Sequence, residues 1–339
     1  MIREERTEVH KMKVSLVEEL FHILDETATI LQKEEQFTYL DGIAATSENI
    51  FQEALLQQNL SEVSKKKLLK KYEKVQLAKY TNEQIRKAFQ LATLKGLKGS
   101  SQPNHQMTPD SIGLIISYLI GKFMKNEQTF SLLDPAVGTG NLLMTILNNQ
   151  SDKNIHAFGV DVDDLFIQLA YSSANLQQHE IQFFQQDALE PMLIKGLDVI
   201  ACDLPIGYYP NDENAKNYTL RREKGHSFAH YLFIEQSIFH TKPGGYLFFL
   251  IPNHLFVSED SDKLHAFLKE HVFIQGLIQL PLTLFKNKEA AKSIFILQKK
   301  EEGQTPPKEV LLANLPDLKN PKAMGNILQK IDIWFKENK

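Results

Sequence analysis

The sequence predicts an α/β fold in which a helical domain precedes a mostly parallel sheet. In residues 1–98, apolar residues recur at spacings of three and four, as at Val17, Leu20 and Leu24, which indicates amphipathic helices. Later in the chain, short apolar runs alternate with segments of helix length, which is typical of βα units that build a parallel sheet. Glycine, serine and proline cluster at 96–103 and favour a domain boundary there.

Six or seven strands are predicted for the sheet. They are expected near 130–134, 155–160, 181–185, 197–202, 245–251, 273–279 and 293–298. Only Leu280-Pro281 and an irregular stretch separate the last two strands, which leaves too little chain for a crossover helix. An antiparallel pair is therefore expected at the end of the sheet.

The last part of the chain is too small for an independent domain. A linker is predicted at 301–307, followed by a short strand from Glu309 to Ala313 and a closing helix at roughly 321–336. The predicted domains are a helical domain at 1–98, a sheet domain at 103–300, and a C-terminal strand and helix at 301–339 that pack on the sheet domain.

Composition excludes several classes of protein. The 339 residues include one cysteine, Cys202, so an internal disulfide is impossible, and no Cys/His zinc spacing is present. The longest apolar stretches, 112–120 and 246–252, are far shorter than the roughly 20 residues that cross a bilayer, and the acidic N-terminus does not resemble a targeting signal. We therefore expect a cytoplasmic protein without a membrane span or a bound metal.

The net charge of −4 hides an asymmetry along the chain. Residues 1–60 contain 5 Lys/Arg and 12 Asp/Glu, whereas residues 61–100 contain 11 Lys/Arg and 3 Asp/Glu. The basic run follows helical spacing and begins with Lys65, Lys66 and Lys67. Such lysines most often form a solvated helix face, and contact with nucleic-acid phosphates is the alternative.

A glycine-containing loop follows the first strand and reads Asp134-Pro135-Ala136-Val137-Gly138-Thr139-Gly140-Asn141. The two glycines let the main chain approach a ligand closely, and the free N–H groups of a helix that starts at about Asn141 face the same place. The second strand ends at Asp161-Val162, where a carboxylate can accept hydrogen bonds from a ribose diol. The third ends at Asp187-Ala188, a position suited to an adenine amino group.

These residue types favour an adenosine ligand that carries an amino group. A dinucleotide fingerprint would require glycine where the sequence has Leu143. A carboxylate at Asp134 would repel a pyrophosphate and attract an ammonium group. S-adenosyl-L-methionine combines adenosine with an amino group. The pattern D-P-x-x-G-x-G, from Asp134 to Gly140, resembles the cofactor motif of class I S-adenosylmethionine-dependent methyltransferases, specifically of the branch that methylates amino groups.

The fourth strand runs into Asp203-Leu204-Pro205-Ile206, where enzymes of that branch carry the loop [N/D/S]-P-P-[Y/F/W]. The lone pair of an adenine amino group is delocalised into the ring. Acceptors for both N–H bonds can localise this pair and aim it at the methyl group. We expect the side chain of Asp203 to provide one acceptor and the carbonyl of Leu204 the other.

This loop departs from the family pattern at two positions. Leu204 replaces the first proline, which reduces rigidity but keeps a carbonyl, and Ile206 replaces the aromatic residue that stacks on the target base. Stacking on an aromatic side chain contributes about 1–3 kcal/mol per base. Tyr208 or Tyr209 is the expected replacement; if neither stacks, the acceptor need not be a flipped adenine.

A wider resemblance covers about residues 103–300. Gln106-Met107-Thr108-Pro109 is similar to the Q-x-T-P segment that opens the catalytic domain of type I restriction-modification methylation subunits and packs beside the cofactor. From the residues alone, Thr108 is predicted to cap a helix. The resemblance implies a Rossmann-like methyltransferase sheet and N6 of adenine in DNA as the methyl acceptor. It also implies a partner, because such subunits commonly obtain target recognition from a separate specificity subunit.

The predicted site has a catalytic and a cofactor-binding set. The catalytic residues are Asp203, Leu204, Pro205 and Tyr208. The cofactor-binding residues are Thr108, Asp134, Pro135, Gly138, Gly140, Asn141, Asp161, Val162, Asp187, Ala188 and Asp203. Two alternatives stay open: methylation of RNA or a protein amide, and a cofactor-binding module without catalysis, which the changes at Leu204 and Ile206 motivate.

Other candidate residues favour structural roles. His226 and His230 stand four apart, but no third ligand is evident, so a metal site is not favoured. Cys202 is expected to be a small buried residue rather than a nucleophile. Asp163 and Asp164 are expected at the start of a helix, as its N-cap and a first-turn acid.

Overall fold

The structure, a computed structural model, describes residues 15–98, 107–257 and 260–339. Its contacts divide the chain into two compact units, Met1–Pro103 and Asn104–Lys339. Among the residues described, no helix is both long enough and apolar enough to cross a membrane.

The N-terminal unit contains the helices α1 (Leu16–Glu34), α2 (Tyr39–Phe51), α3 (Glu62–Tyr72) and α4 (Asn82–Lys98). Capping boxes start α1 at Ser15 and α2 at Thr38, which satisfies backbone N–H groups that a helix leaves free. These two helices approach closely, since a Cβ on Gly42 would lie 2.6 Å from the carbonyl oxygen of Ala28. The predicted N-terminal helical domain is confirmed.

The basic run lies mainly on α3. Lys65 pairs with Glu62 of the same helix, and Lys71 pairs with Glu26 of α1. These partners suit a solvated helix face, and contact with phosphates stays a prediction.

The second unit is an eight-stranded sheet with helices on both faces. The strands are β1 (Thr129–Asp134), β2 (Asn154–Asp161), β3 (Ile181–Gln185), β4 (Leu197–Asp203), β5 (Thr241–Pro252), β6 (Val272–Gln279), β7 (Lys292–Lys299) and β8 (Leu311–Asn314). The helices are α5 (Asp110–Phe123), α6 (Asn141–Asn149), α7 (Asp164–Leu176), α8 (Asp212–Ala215), α9 (Ala229–His240), α10 (Ser261–His271) and α11 (Pro321–Asn338). Buried apolar side chains form a separate cluster on each face, with Phe248 in one and Phe249 in the other.

The strand order is β3-β2-β1-β4-β5-β7-β6-β8. Neighbouring strands from β3 to β5 are parallel, and β7 runs antiparallel to both β5 and β6. The order reverses between β1 and β4, and α/β sheets bind ligands at such a point, beyond the carboxyl ends of the strands. Because β7 is antiparallel, its first residue, Lys292, lies at this same edge, opposite Pro252.

The antiparallel pair predicted at the end of the sheet is confirmed by β6 and β7. The sheet has eight strands rather than six or seven, because the short segment predicted at 309–313 forms β8 and pairs in parallel with β6. The closing helix α11 packs nearby through the buried Ile331 and Trp334. The C-terminal segment thus completes the sheet and its core.

Candidate active site

In the loop between β1 and α6, two glycines leave the main chain without covering side chains at the edge of the sheet. Gly138 and Gly140 have φ angles of 52° and 82°, a left-handed conformation that favours glycine. Gly140 is the N-cap of α6, which starts at Asn141 as predicted. A Cβ on Gly140 would lie 3.3 Å from the Cβ of Ala170, whereas a Cβ on Gly138 would meet nothing within 4 Å. Gly140 therefore allows α6 to pack on α7, and Gly138 borders open space.

Asp134 ends β1 with a buried carboxyl group. The residue is 2% exposed, and its Oδ1 accepts a hydrogen bond from the N–H of Ala136 at 3.1 Å. Burial raises the pKa of Asp134 to about 7, and the carboxylates of Asp161 and Asp203 contribute to the increase. A cation bound beside Asp134 would favour its ionised form. Pro135, which follows, is also buried.

Asp161 ties the glycine loop to the end of β2. One carboxylate oxygen accepts the N–H of Gly138 at 2.8 Å, and the other accepts the N–H of Asp163 at 3.0 Å. Burial raises the pKa of Asp161 in spite of these bonds. The adjacent Val162 is 72% exposed. Asp163 caps α7 by accepting the N–H of Phe166, as predicted.

Asp187 links the end of β3 to the loop that follows β4. Its Oδ1 accepts the N–H of Leu189 at 2.9 Å, and its Oδ2 accepts the hydroxyl of Tyr209 at 2.5 Å. Burial, together with this bond to Asp187, raises the pKa of Tyr209 to about 12. The side chain of Ala188 lies in the core, so this residue can face a ligand only through its main chain.

Asp203, at the end of β4, is held by side chains from two distant parts of the chain. The hydroxyl of Thr108 donates to Oδ2 at 3.0 Å, and the ammonium group of Lys292 forms a close ion pair with Oδ1. The side-chain amide of Asn141 donates to the carbonyl of Thr108 at 2.9 Å. Thr108 and Asn141, both predicted near the cofactor, thus contact each other beside Asp203.

The prediction that Thr108 caps a helix is wrong. Pro109 occupies the N-cap of α5, and no side-chain hydrogen bond caps it. The Thr108 hydroxyl instead donates to the carboxylate of Asp203. A bond to an ionised acceptor is stronger than one to a neutral partner, which explains the preference.

The two departures from the family loop have different surroundings. Leu204 is 1% exposed and packs in the core, and its N–H donates to the carbonyl of Leu250 at 3.3 Å. Burial of this side chain anchors the loop, which offsets the loss of a rigid proline. Pro205 follows and is partly buried, whereas Ile206 is exposed.

Tyr208 is the exposed aromatic residue of this loop. It is 61% exposed, and its ring stacks on Phe228 with centroids 5.3 Å apart and an angle of 18° between the planes. The guanidinium of Arg222 lies over the same Phe228 ring at 4.8 Å. Tyr209 is buried and bonded to Asp187, so of the two tyrosines only Tyr208 is exposed enough to stack on a base.

The surroundings of the remaining candidate residues favour structural roles over catalysis or metal binding. Cys202 is fully buried, and burial together with the neighbouring Asp134 raises the pKa of its thiol, which opposes a nucleophilic role. His226 contacts Asp212 at 3.0 Å, and burial lowers the pKa of His230 to about 4. In the described part of the chain, no three His, Cys, Asp or Glu side chains are placed to hold a metal ion.

Lys292 is the site residue that the sequence did not reveal. It belongs to no recognised motif, and only the antiparallel pairing of β7 with β5 brings it to the edge where Asp203 lies. A lysine at the start of a strand is by itself an ordinary feature. No local signal would have identified it.

Two family models match the chain, and together they cover most of it. Residues 18–97 match the YtxK N-terminal helical domain, and residues 98–335 match the N-6 DNA methylase family. The chain belongs to the N-6 DNA methylase family.

Two relatives of the chain support the resemblance found in the sequence. The uncharacterized protein YtxK of Bacillus subtilis is 49% identical over 321 residues, which are 94% of this chain and 98% of that protein. A solved structure from Listeria monocytogenes, provisionally described as a class I S-adenosylmethionine-dependent methyltransferase, is 50% identical, with a TM-score of 0.88, and the match covers 94% of this chain and 99% of that one. The predicted family and fold class are confirmed.

The fold extends to more distant proteins. A type I restriction-modification methyltransferase subunit from Streptococcus thermophilus has a TM-score of 0.66 at 16% identity, over 95% of this chain and 76% of that one. At this identity the likeness concerns the fold.

In this member of the N-6 DNA methylase family, the predicted site residues lie at one edge of the sheet. Asp134, Asp161 and Asp203 end β1, β2 and β4, and Asp187 follows β3. The glycine loop contacts Asp161, and Thr108 and Asn141 join the loop to Asp203. The edge therefore combines a loop of bare main chain with four carboxyl groups and an exposed aromatic ring.

Proposed function

We propose that this chain transfers a methyl group from S-adenosylmethionine to an amine nitrogen, with N6 of adenine in DNA as the acceptor. The observation that carries the proposal is the position of Asp134 and Asp203 at the ends of the adjacent strands β1 and β4. Asp134 borders the glycine loop, and Asp203 begins the loop at 203–206, which we call the acceptor loop because it would hold the methyl acceptor. Membership in the N-6 DNA methylase family supports this chemistry.

The residues around the β1 loop fit the cofactor. Asp134 is a buried carboxyl group with a pKa of about 7, and a cofactor ammonium group would stabilise its ionised form. Gly138 leaves open the space that a side chain would fill. Asp161 and the exposed Val162 suit the ribose. The remaining residues proposed to shape the cofactor site are Thr108, Pro135, Gly140, Asn141, Asp187, Ala188 and Asp203.

The bound cofactor supplies an electrophilic methyl group on a sulfonium sulfur, and the chain's own residues position the acceptor. Asp203 and the carbonyl of Leu204 accept the two N–H bonds of the amine, which localises the nitrogen lone pair. The amine nitrogen, held by these two acceptors, would receive the methyl group and lose one N–H proton to water, and the electron pair of the former carbon–sulfur bond would stay on the cofactor sulfur. Pro205 restrains the loop, and Tyr208 offers a ring for stacking on the base.

A survey with methyl-labelled S-adenosylmethionine tests this function. The purified chain is incubated with unmethylated DNA, RNA and protein from a lysate, which also supplies any specificity partner. We expect label in DNA, recovered as N6-methyladenine after digestion. Label in RNA or in a protein amide instead would contradict the DNA acceptor. Micromolar cofactor binding without transfer to any fraction would support a binding module without catalysis.

Replacing Gly138 with alanine is expected to weaken binding of S-adenosylmethionine by about tenfold or more, because the new methyl group enters the proposed ligand space. The cost in folding free energy should be only about 1–2 kcal/mol, which is typical of a left-handed non-glycine residue. Calorimetric titration and urea unfolding measure the two effects.

Gly196→Ala is the matched control for this prediction. Gly196 also has a positive φ, of 73°, and a Cβ there would meet nothing within 4 Å. It precedes β4 and so lies at the opposite edge of the sheet. We expect a similar loss of stability and unchanged cofactor affinity. Equal affinities in the two alanine variants would show that Gly138 does not border the ligand.

A further inference from the structure

Lys292 contacts the acceptor loop from a strand that is not adjacent to it. It is the first residue of β7 and pairs with Pro252 of β5, while Asp203 of β4 pairs with Leu250 on the other side of β5. The lysine side chain therefore crosses the end of β5 to form its ion pair with Asp203. Neither a sequence motif nor the family match assigns a role to this contact.

The ion pair is mostly shielded from water. The side chains of Lys292 and Asp203 are 20% and 19% exposed. Exposed ion pairs contribute little, because water and salt screen them. In a shielded pair, removal of one partner leaves the other charge uncompensated. Lys292 and Asp203 therefore depend on each other more than a surface pair would.

Asp203 is restrained through both carboxylate oxygens. Lys292 holds Oδ1, and the hydroxyl of Thr108 holds Oδ2 at 3.0 Å. An ionised carboxylate offers about four lone-pair positions, so about two stay open after these contacts. With both oxygens held, the open positions point in fixed directions. This is the arrangement needed to orient an N–H group of an acceptor.

The ion pair also determines the net charge that Asp203 presents to an acceptor. A carboxylate without a counter-ion would attract an alkylammonium group, whose nitrogen has no lone pair until it loses a proton. Paired with Lys292, Asp203 presents almost no net charge to such a cation. Its open lone pairs still accept an N–H bond from an uncharged planar amine.

We propose that Lys292 is a positioning residue that orients Asp203 and balances its charge for an uncharged amine acceptor. The proposal rests on the proposed methyltransferase function and narrows the acceptor to a nitrogen that is neutral when bound, as in a nucleobase or an amide. Lys292 acts through Asp203 and does not itself touch the acceptor.

Three lysine variants test the role of the cation. Lys292→Met is expected to lower kcat by about 10- to 100-fold, because misplacement of an orienting group by about 1 Å can cost about 100-fold. The KM for S-adenosylmethionine should change by less than about twofold, since Asp134, Gly138 and Asp161 are not altered and Asp203 is the one residue that the proposed cofactor and acceptor sites share. Lys292→Arg keeps the cation and should retain kcat within about fivefold. Lys286→Met, an exposed lysine in the preceding loop, is the control and should leave kcat unchanged.

Lys292→Met in an Asp203→Asn background separates positioning from a general structural effect. Asparagine accepts through its amide oxygen and needs no counter-ion, so Lys292→Met should lower the kcat of the Asn variant by less than about threefold. A loss as large as in the wild-type background would overturn the proposal. Three other results would also overturn the proposal. They are an unchanged kcat in Lys292→Met alone, a Lys292→Arg variant as inactive as Lys292→Met, and ε-methyllysine as the product of the wild-type chain.

A lack of methyl transfer by the wild-type chain would count against the proposed function, and the ion pair can then be tested through stability. The thermal unfolding midpoints of wild type, Lys292→Met, Asp203→Asn and the double variant form a cycle that needs no acceptor. We expect the unfolding midpoint of the double variant to be higher than the sum of the two single-variant shifts predicts. Additive shifts would overturn the contact on which the proposal depends.

Discussion

Replacing Asp203 with alanine is expected to lower the kcat of methyl transfer by on the order of 100- to 1,000-fold, the usual effect of removing one group aimed at a transition state. The substitution removes an acceptor for an amine N–H and leaves Lys292 and Thr108 without their partner. The second effect should cost about 1–3 kcal/mol of folding free energy. Single-turnover rates with saturating cofactor and urea unfolding measure these effects separately.

Two further variants distinguish lost chemistry from lost stability. Asp203→Ala combined with Lys292→Met removes the unpaired charge, so it should recover stability while kcat stays low. Asp152→Ala changes an exposed aspartate in the turn before β2, at the opposite edge of the sheet, and should leave kcat unchanged. An Asp203→Ala variant that keeps more than about a tenth of the wild-type kcat would remove Asp203 from the mechanism.

Replacing Asp134 with asparagine is expected to increase stability and weaken cofactor binding. Burial raises the pKa of Asp134 from 3.8 to about 7. Since each pKa unit corresponds to about 1.4 kcal/mol, ionisation of this group in the folded chain costs on the order of 4 kcal/mol. At pH 8 the neutral asparagine should therefore stabilise the cofactor-free chain by on the order of 2–4 kcal/mol. Its Kd for S-adenosylmethionine should rise by about tenfold or more, because the carboxylate no longer attracts the ammonium group.

The direction of the pH dependence follows from the raised pKa of Asp134. Between pH 3.8 and about 7, the folded chain binds more protons at this residue than the unfolded chain does. Its contribution to stability therefore falls as pH rises through this range. Cofactor affinity should change in the opposite direction and weaken by about tenfold per pH unit below about pH 7. Unfolding and titration calorimetry between pH 6 and 8 would reveal both trends as differences between the wild type and Asp134→Asn.

Asp198→Asn is the matched control, because the pKa of Asp198 shifts the other way. Although partial burial opposes the shift, bonds with Lys242 and Ser131 lower the pKa of Asp198. Asparagine at this position should reduce stability at neutral pH and leave the cofactor Kd unchanged. A higher stability of the Asp198 variant, or equal cofactor affinities of the two Asn variants, would contradict the role given to Asp134.

The fold and the glycine loop could be predicted because their signals are local. A strand, a terminal aspartate, two glycines and a helix start occupy consecutive positions from Thr129 to Asn141. Each of these features restricts the backbone near its own position. The antiparallel pair β6 and β7 was also predictable, since so little chain separates the two strands.

The surroundings of Asp203 could not be predicted in the same way. Thr108 precedes it by 95 residues and Lys292 follows it by 89, so both contacts depend on strand order and register. The helix-cap prediction for Thr108 failed for this reason, because a local rule took no account of a distant carboxylate. The bond between Tyr209 and Asp187 is also non-local, and it decides that Tyr208 is the exposed ring.

The two outermost strands of the sheet, β3 and β8, are its two shortest. β3 has five residues and β8 has four, whereas the inner strands β5 and β7 have twelve and eight. An edge strand exposes unpaired N–H and C=O groups that can pair with strands of other molecules, and a short edge strand exposes few such groups. β8 also covers β6, whose eight residues would otherwise form a longer edge strand. Loss of the C-terminal segment should thus promote aggregation.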